Sequence, residues 1–185
     1  ALLAAGAVVA VKGVGGYHLA CNATSEGAVA RLRRRKQRGD KPFALLVADL
    51  DAARSVAAVS DTEAALLASP RRPIVLLPRR DDPPVAVAAA VAPGSDRLGV
   101  MLPPSALHHL LLGLPGDPPG PAALVLTSGN LSGEPIVTDD AEALARLGGI
   151  ADAWLRHDRA IHVPCDDSVV VVVADEELPL RRSRG

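Results

Sequence analysis

The chain has 185 residues, 49% of them apolar, and a formal net charge of −1 from 20 Lys and Arg against 21 Asp and Glu. That length suits one domain, or one with a small appendage, and the apolar content can build a core without cross-links. The charge balance excludes a global field that would gather nucleic acid, and no apolar run reaches the ~18 residues of a membrane-spanning helix.

Ala1 to Val11 is apolar but has no basic lead-in and is soon interrupted by glycines, so it does not read as a secretion signal. Within it, Ala7 to Val11 reads as a short buried strand. Lys12 to Thr24, KGVGGYHLACNAT, reads as a loop. Thr24 or Ser25 caps a helix through residues 26–38, with Val29 and Leu32 inward and Gly39 beyond its end. Phe43 to Val47 is the next strand, and residues 50–59 form a helix. Ser60 and Glu63 make a capping box for a helix over residues 61–68, which Pro70 closes. Ile74 to Leu77 is a strand, residues 79–96 a proline-bounded connection, and Leu98 to Leu102 a strand. Ser105 opens a short helix that Gly113 ends, and a surface loop follows to Pro121. Ala122 to Leu126 is a strand. Asp139 with Glu142 opens a helix that Gly148 and Gly149 end. Ala153 to Leu155, Ser168 to Val173 and Leu178 to Leu180 are the last strands. Apolar strands alternating with helices indicate an α/β layer fold with a sheet covered on at least one face. The abrupt start and the RRSRG end read as one domain, residues 1–185, cut from a longer chain.

Several stretches suit chemistry. Lys12 at a strand end, followed by Gly13, Gly15 and Gly16, either turns backbone N–H groups toward an anion or is a plain glycine turn. It is neither a Walker A loop nor a Rossmann fingerprint. Arg31 to Pro42 holds seven basic residues and one acid. On a helix, Arg31, Arg34 or Arg35, and Arg38 share a face, as a solvated surface or as a phosphate or nucleic-acid contact. One Phe, one Tyr and one Trp in the whole chain leave little for base stacking. Thr127, Ser128, Asn130 and Ser132 put hydroxyls and an amide in a loop with Gly129 and Gly133, either an ordinary turn or one that a ligand approaches closely. Asp166 and Asp167 suit Mg²⁺ or a turn, and Arg181, Arg182 and Arg184 suit a triphosphate or a charged exit. His108 and His109 lie on a short apolar helix, at least one of them as a packing residue. His157 stands at a strand end as a structural hydrogen-bonding group. Cys21 and Cys165 lack zinc-ligand spacing and read as reduced thiols of a cytoplasmic protein, with a disulfide as the alternative. No nucleophile has a base beside it. The joint reading is an anion site sized for a nucleotide.

The segments KGVGGYHLACNAT, RRKQRGDKPFALLV, LGVMLPPSALHHLLL, LTSGNLSGEPIVTDDAEAL, GGIADAWLRHDRAI, DDSVV and LRRSRG, in this order, closely resemble the YrdC-like domain of HypF-type carbamoyltransferases. The wider YrdC family has a KxR motif and a serine-alanine-asparagine motif. Their counterparts here are Lys36–Arg38 and Ser128-Gly129-Asn130. The Ser-Gly-Asn form and GGYHLAC are features of the HypF branch. The resemblance implies a twisted, largely open α/β sheet around a concave basic cavity. It implies formation of carbamoyl-adenylate and pyrophosphate from ATP and a carbamate derived from carbamoyl phosphate, within [NiFe]-hydrogenase maturation. A HypE-type acceptor would be served through the full-length enzyme. Lys12, Lys36 and Arg38 would hold phosphates or the carbamate. Thr127, Ser128, Asn130, Ser132, Arg181 and Arg184 would bind the nucleotide, and Tyr17 and His18 would border the small-substrate pocket. Mg²⁺ would travel with ATP and take few protein ligands. Gly39, Asn22, Pro164 and Val171 depart from the family's Pro, Asp, Arg and Arg, and the two missing arginines would weaken phosphate neutralisation. The alternatives are a threonylcarbamoyl-adenylate synthase of tRNA modification and an RNA-binding module, to which the near-neutral charge and few aromatics are unfavourable.

Overall fold

The computed structural model describes residues 1–183 apart from Pro115, Pro118 and Pro119. The strands are β1 (Val9–Lys12), β2 (Tyr17–Asn22), β3 (Ala44–Leu46), β4 (Ile74–Pro78), β5 (Arg97–Met101), β6 (Leu124–Ser128), β7 (Ala153–Leu155), β8 (Val169–Val173) and β9 (Glu176–Arg181). They form one mixed sheet in the order β7-β1-β2-β6-β3-β5-β4-β8-β9. The pairs β1–β2, β2–β6, β3–β6, β4–β5 and β8–β9 are antiparallel, whereas β1–β7, β3–β5 and β4–β8 are parallel.

Alternate residues on each strand feed two separate cores, because successive side chains leave opposite faces. Leu19, Leu45, Val75, Val100 and Val125 pack under the helices α1 (Glu26–Arg35), α2 (Leu50–Val56), α3 (Asp61–Ala68) and α5 (Asp140–Leu147). Ala20, Leu46, Met101, Leu124 and Leu126 face the other way, where Leu107, Leu111 and Leu112 of α4 (Ala106–Leu112) cover part of the sheet. The rest of that second face, around Ala44, Ile74 and Leu126, is left uncovered by α4. Burial on both sides explains why the strands read as continuous apolar runs. Among the described residues, no helix is long and apolar enough to cross a membrane.

Two local expectations are corrected. The run from Lys12 to Thr24 is not a loop throughout. Residues 14–16 bend and Ala23 and Thr24 turn, but Tyr17–Asn22 is a strand in the interior of the sheet. Helix α1, capped by Ser25 rather than Thr24, stops at Arg35 instead of running to residue 38. Gln37 takes a left-handed φ of 53°. Its N–H donates to Arg34 O, and the Arg38 N–H donates to Arg33 O. That is the hydrogen-bond pattern of a helix-ending Schellman turn, with glutamine where glycine is usual. The Ser60–Glu63 capping box forms as expected.

Candidate functional site

The early end of α1 redirects the basic stretch, and the expected shared arginine face does not form. Arg31 donates to Gly6 O, and Arg35 to Ile150 O and to Asp152. Arg33 donates to the carbonyls of Ala90, Val91, Arg38, Gly39 and Lys41. Arg38, beyond the left-handed turn, is half-buried against Phe43 and donates to the carbonyls of Lys41 and Pro42. The Arg33 and Arg38 guanidinium carbons lie 4.6 and 4.9 Å from that ring's centroid.

Lys36 is fully buried. Its Nζ donates to Ser128 O at 2.7 Å, Asn130 O at 2.6 Å and Asn130 Oδ1 at 2.5 Å. An ammonium has three donors, so all are engaged. Ser128 Oγ also donates to Asn130 Oδ1 at 2.8 Å, and Asn130 Nδ2 donates to Glu134 O at 2.5 Å. The two motifs, far apart in sequence, therefore form one hydrogen-bonded knot. Burial, then Arg38 and Lys41, push the Lys36 ammonium down to about 7, against a partial offset from Asp166 and Glu134. Gly129 fits in this knot because it has no side chain: a Cβ there would stand 2.7 Å from Tyr17 O and from Tyr17 Cβ.

A cavity of about 380 Å³ opens beside the knot on this second face of the sheet. That is within the usual range of small-molecule sites. Its floor is apolar, formed by Ala44, Ile74, Leu76, Leu126 and Val169 around Gly99. Its walls carry both signs: Arg38, Lys41 and Arg181 with Asp166 and Asp167. Asp166 lies 3.7 Å from Arg181. Burial, with Arg33 and then Arg181 close by, pushes the Arg38 guanidinium down to about 10. Cations thus crowd one end of the cavity, an arrangement an anion would relieve.

Of the residues singled out in sequence, Arg38, Arg181, Ser128, Thr127 and His18 line this cavity. Lys36 and Asn130 form the knot that holds its rim. Ser132 is exposed, and its backbone N–H donates to Lys36 O at 3.3 Å. Lys12 and Tyr17 go elsewhere: Lys12 Nζ lies 2.8 Å from Asp140 Oδ1, and the Tyr17 hydroxyl donates to the same oxygen at 2.7 Å. The two donors hold the Asp140 carboxyl below its ordinary range. They pin the end of β1 and the start of β2 to α5. Arg184 lies outside the described residues. Pro164 is exposed and Val171 is buried on β8. Both cysteines are free thiols, and burial pushes Cys21 up to about 12. Sequence reading missed Lys41 as a cavity residue and Asp140 as the anchor of Lys12 and Tyr17. Lys41 was visible only as one more charge in a basic run, and Asp140 only as a helix start. Among the described residues, no three His, Cys, Asp or Glu side chains cluster as metal ligands.

The Sua5/YciO/YrdC family, described as "Telomere recombination", matches residues 1–183. A Rhodobacter capsulatus protein named carbamoyltransferase HypF is 52% identical over 185 residues, covering 100% of this chain and 23% of that protein. A crystal structure of full-length HypF in the phosphate- and nucleotide-bound form superposes with a TM-score of 0.90 at 45% identity, over 98% of this chain and 28% of the other. A crystal structure of T. kodakarensis HypF does so with a TM-score of 0.91 at 40% identity, over 99% of this chain and 23% of the other. The chain spans about a quarter of the length of these relatives.

Proposed function

This chain belongs to the Sua5/YciO/YrdC family and is HypF-like along its length, and we propose that it is the adenylate-forming domain of a HypF-type carbamoyltransferase. The observation that carries this reading is the junction of Lys36 with the Ser128–Asn130 loop beside a cavity where Arg38 and Arg181 crowd together. A nucleotide-bound HypF structure of the same fold supports the choice of ligand.

In the proposed reaction a carbamate oxygen attacks the α-phosphorus of ATP. The bond from that phosphorus to the bridging oxygen breaks, and its electron pair leaves with pyrophosphate. No proton needs to move, so a nucleophile–base pair is not required. The chain's contribution is positioning and electrostatic. Arg38 and Arg181 take the phosphates, with Lys41 at the mouth. The apolar floor takes the adenine ring. Lys36 and Asn130 keep the rim closed so that Ser128 and Thr127 can meet the nucleotide, and His18 borders the small substrate. Mg²⁺ would neutralise phosphate charge, and the carboxylates of Asp166 and Asp167 suit an ion that takes one or two protein ligands and the rest from phosphate and water. Delivery of the carbamoyl group to a HypE-type acceptor belongs to polypeptide outside these residues.

The test is calorimetric titration of Mg-ATP followed by a pyrophosphate-release assay. Arg38→Ala is expected to weaken ATP binding about 10- to 100-fold, the worth of one charge-assisted contact. Pyrophosphate release is expected with ammonium carbamate. Release only with threonine plus bicarbonate would replace this reading with threonylcarbamoyl-adenylate synthesis.

A further inference from the structure

Helix α4 opens on Ser105, where a serine hydroxyl ordinarily accepts a hydrogen bond from the first free N–H groups of the helix. Here it makes no such bond. Its Oγ lies instead 2.7 Å from His108 Nδ1. His108 is fully buried on an otherwise leucine-rich helix. A helix that gives up its cap to orient one of its own side chains breaks a local rule, and such breaks concentrate at functional sites.

His108 meets the ring of His18 in a T arrangement, with centroids 5.7 Å apart and planes at 71°. His18 lines the cavity although it is only 6% exposed. It pairs across the sheet with Ser128, the first residue of the rim knot. Its Nε2 lies 3.5 Å from Asp167 Oδ2. Its Nδ1 is buried with no partner among the described residues. The backbone of Gly13 closes that side, since even a Cβ there would stand 2.7 Å from Nδ1. A proton on Nδ1 would be a buried donor without an acceptor, so the stable neutral form carries its proton on Nε2.

We propose that Ser105 and His108 are positioning residues for His18. They hold its ring in the cavity wall with the Nε2–H presented beside Asp167 and Ser128, as a donor to an oxygen of the small carboxylate substrate. The proposal rests on reading the cavity as a nucleotide and carbamate site, but its first test needs neither ligand.

In ¹⁵N-histidine-labelled protein, with His18 assigned by its loss in His18→Gln, the His18 ring is expected to show a protonated Nε2 and a bare Nδ1. Ser105→Ala and His108→Phe should shift these signals toward mixed tautomers. The same variants should raise KM for carbamate about tenfold, as misplacement of an orienting group does, while the Kd for ATP stays unchanged. Ser105→Thr, which keeps the hydroxyl, should restore both. Unchanged His18 signals in folded Ser105→Ala would overturn the proposal, and so would ATP affinity falling in step with carbamate. Should His108→Phe not fold, Ser105→Ala at its half-buried position decides alone. Failure of the wild-type chain to bind ATP would overturn the nucleotide reading, and the imidazole signals would still decide the positioning role.

Discussion

Lys36 uses its entire hydrogen-bonding capacity inside the protein, so it acts on a ligand through the loop it holds. Lys36→Met keeps the volume but removes the three donors that Lys36 supplies to Ser128 O, Asn130 O and Asn130 Oδ1. It should lower stability by about 2–4 kcal/mol, read by denaturant unfolding, and should weaken ATP binding more than tenfold by calorimetry. The same residue sets a pH dependence. Its folded pKa of about 7 lies below the unfolded value of about 10.4. Between them the unfolded chain binds more protons, so this residue's contribution to stability rises with pH across that window. The loop responds the other way. A neutral amine has two N–H groups for three oxygens, so the rim loosens once the proton leaves. ATP affinity is therefore expected to fall as pH rises through about 7, measured by titration at successive pH values. A flat profile would mean the ammonium persists. Little of this was legible in sequence. The KxR and Ser-Gly-Asn residues stood out, but nothing in their spacing says that the lysine grips the other motif. Lys12 looked like a phosphate ligand, yet its partner Asp140 stands far along the chain, where it read only as part of a helix start.

At the scale of elements, the turn after α1 decides which arginine reaches the cavity. Gln37 holds a conformation that L-residues other than glycine adopt at a cost. Gln37→Gly is expected to stabilise the chain by about 0.5–1 kcal/mol and leave ATP affinity unchanged, because the path of Arg38 is the same. A rise in melting temperature with intact titration would agree, and a fall would show that the glutamine side chain supports the turn. Sequence reading placed this helix end near Gly39, the obvious terminator, because a non-glycine left-handed residue carries no signal of its own. It likewise read β2 as loop, since the three glycines Gly13, Gly15 and Gly16 overshadowed the Tyr17–Cys21 run. Helix α3, whose start rests on local capping chemistry alone, was read correctly to the residue.

For the whole molecule, most of the basic run is tied down by the chain's own carbonyls and one acid. Arg31, Arg33, Arg35 and Arg38 are all turned onto carbonyls or acids of the chain itself, and the net charge is −1. Double-stranded RNA is accordingly expected not to bind at moderate salt. A mobility shift that falls steeply with added salt would contradict this. β7 stands at one edge and β8 next to the other, so residues 156–168 must bridge seven strand spacings, roughly 34 Å before twist shortens the path. A fully extended chain of that length reaches only about 45 Å. On the way it passes His157, whose carbonyl accepts from Lys12, and Cys165, whose N–H donates to Gly15 O. It then delivers Asp166 and Asp167 to the cavity wall. Though largely exposed and irregular, this connection behaves as a taut tie-line rather than a slack surface loop. Losing even two residues from it would have to be taken up by moving the carboxylates it carries or by pulling the two edges of the sheet toward each other.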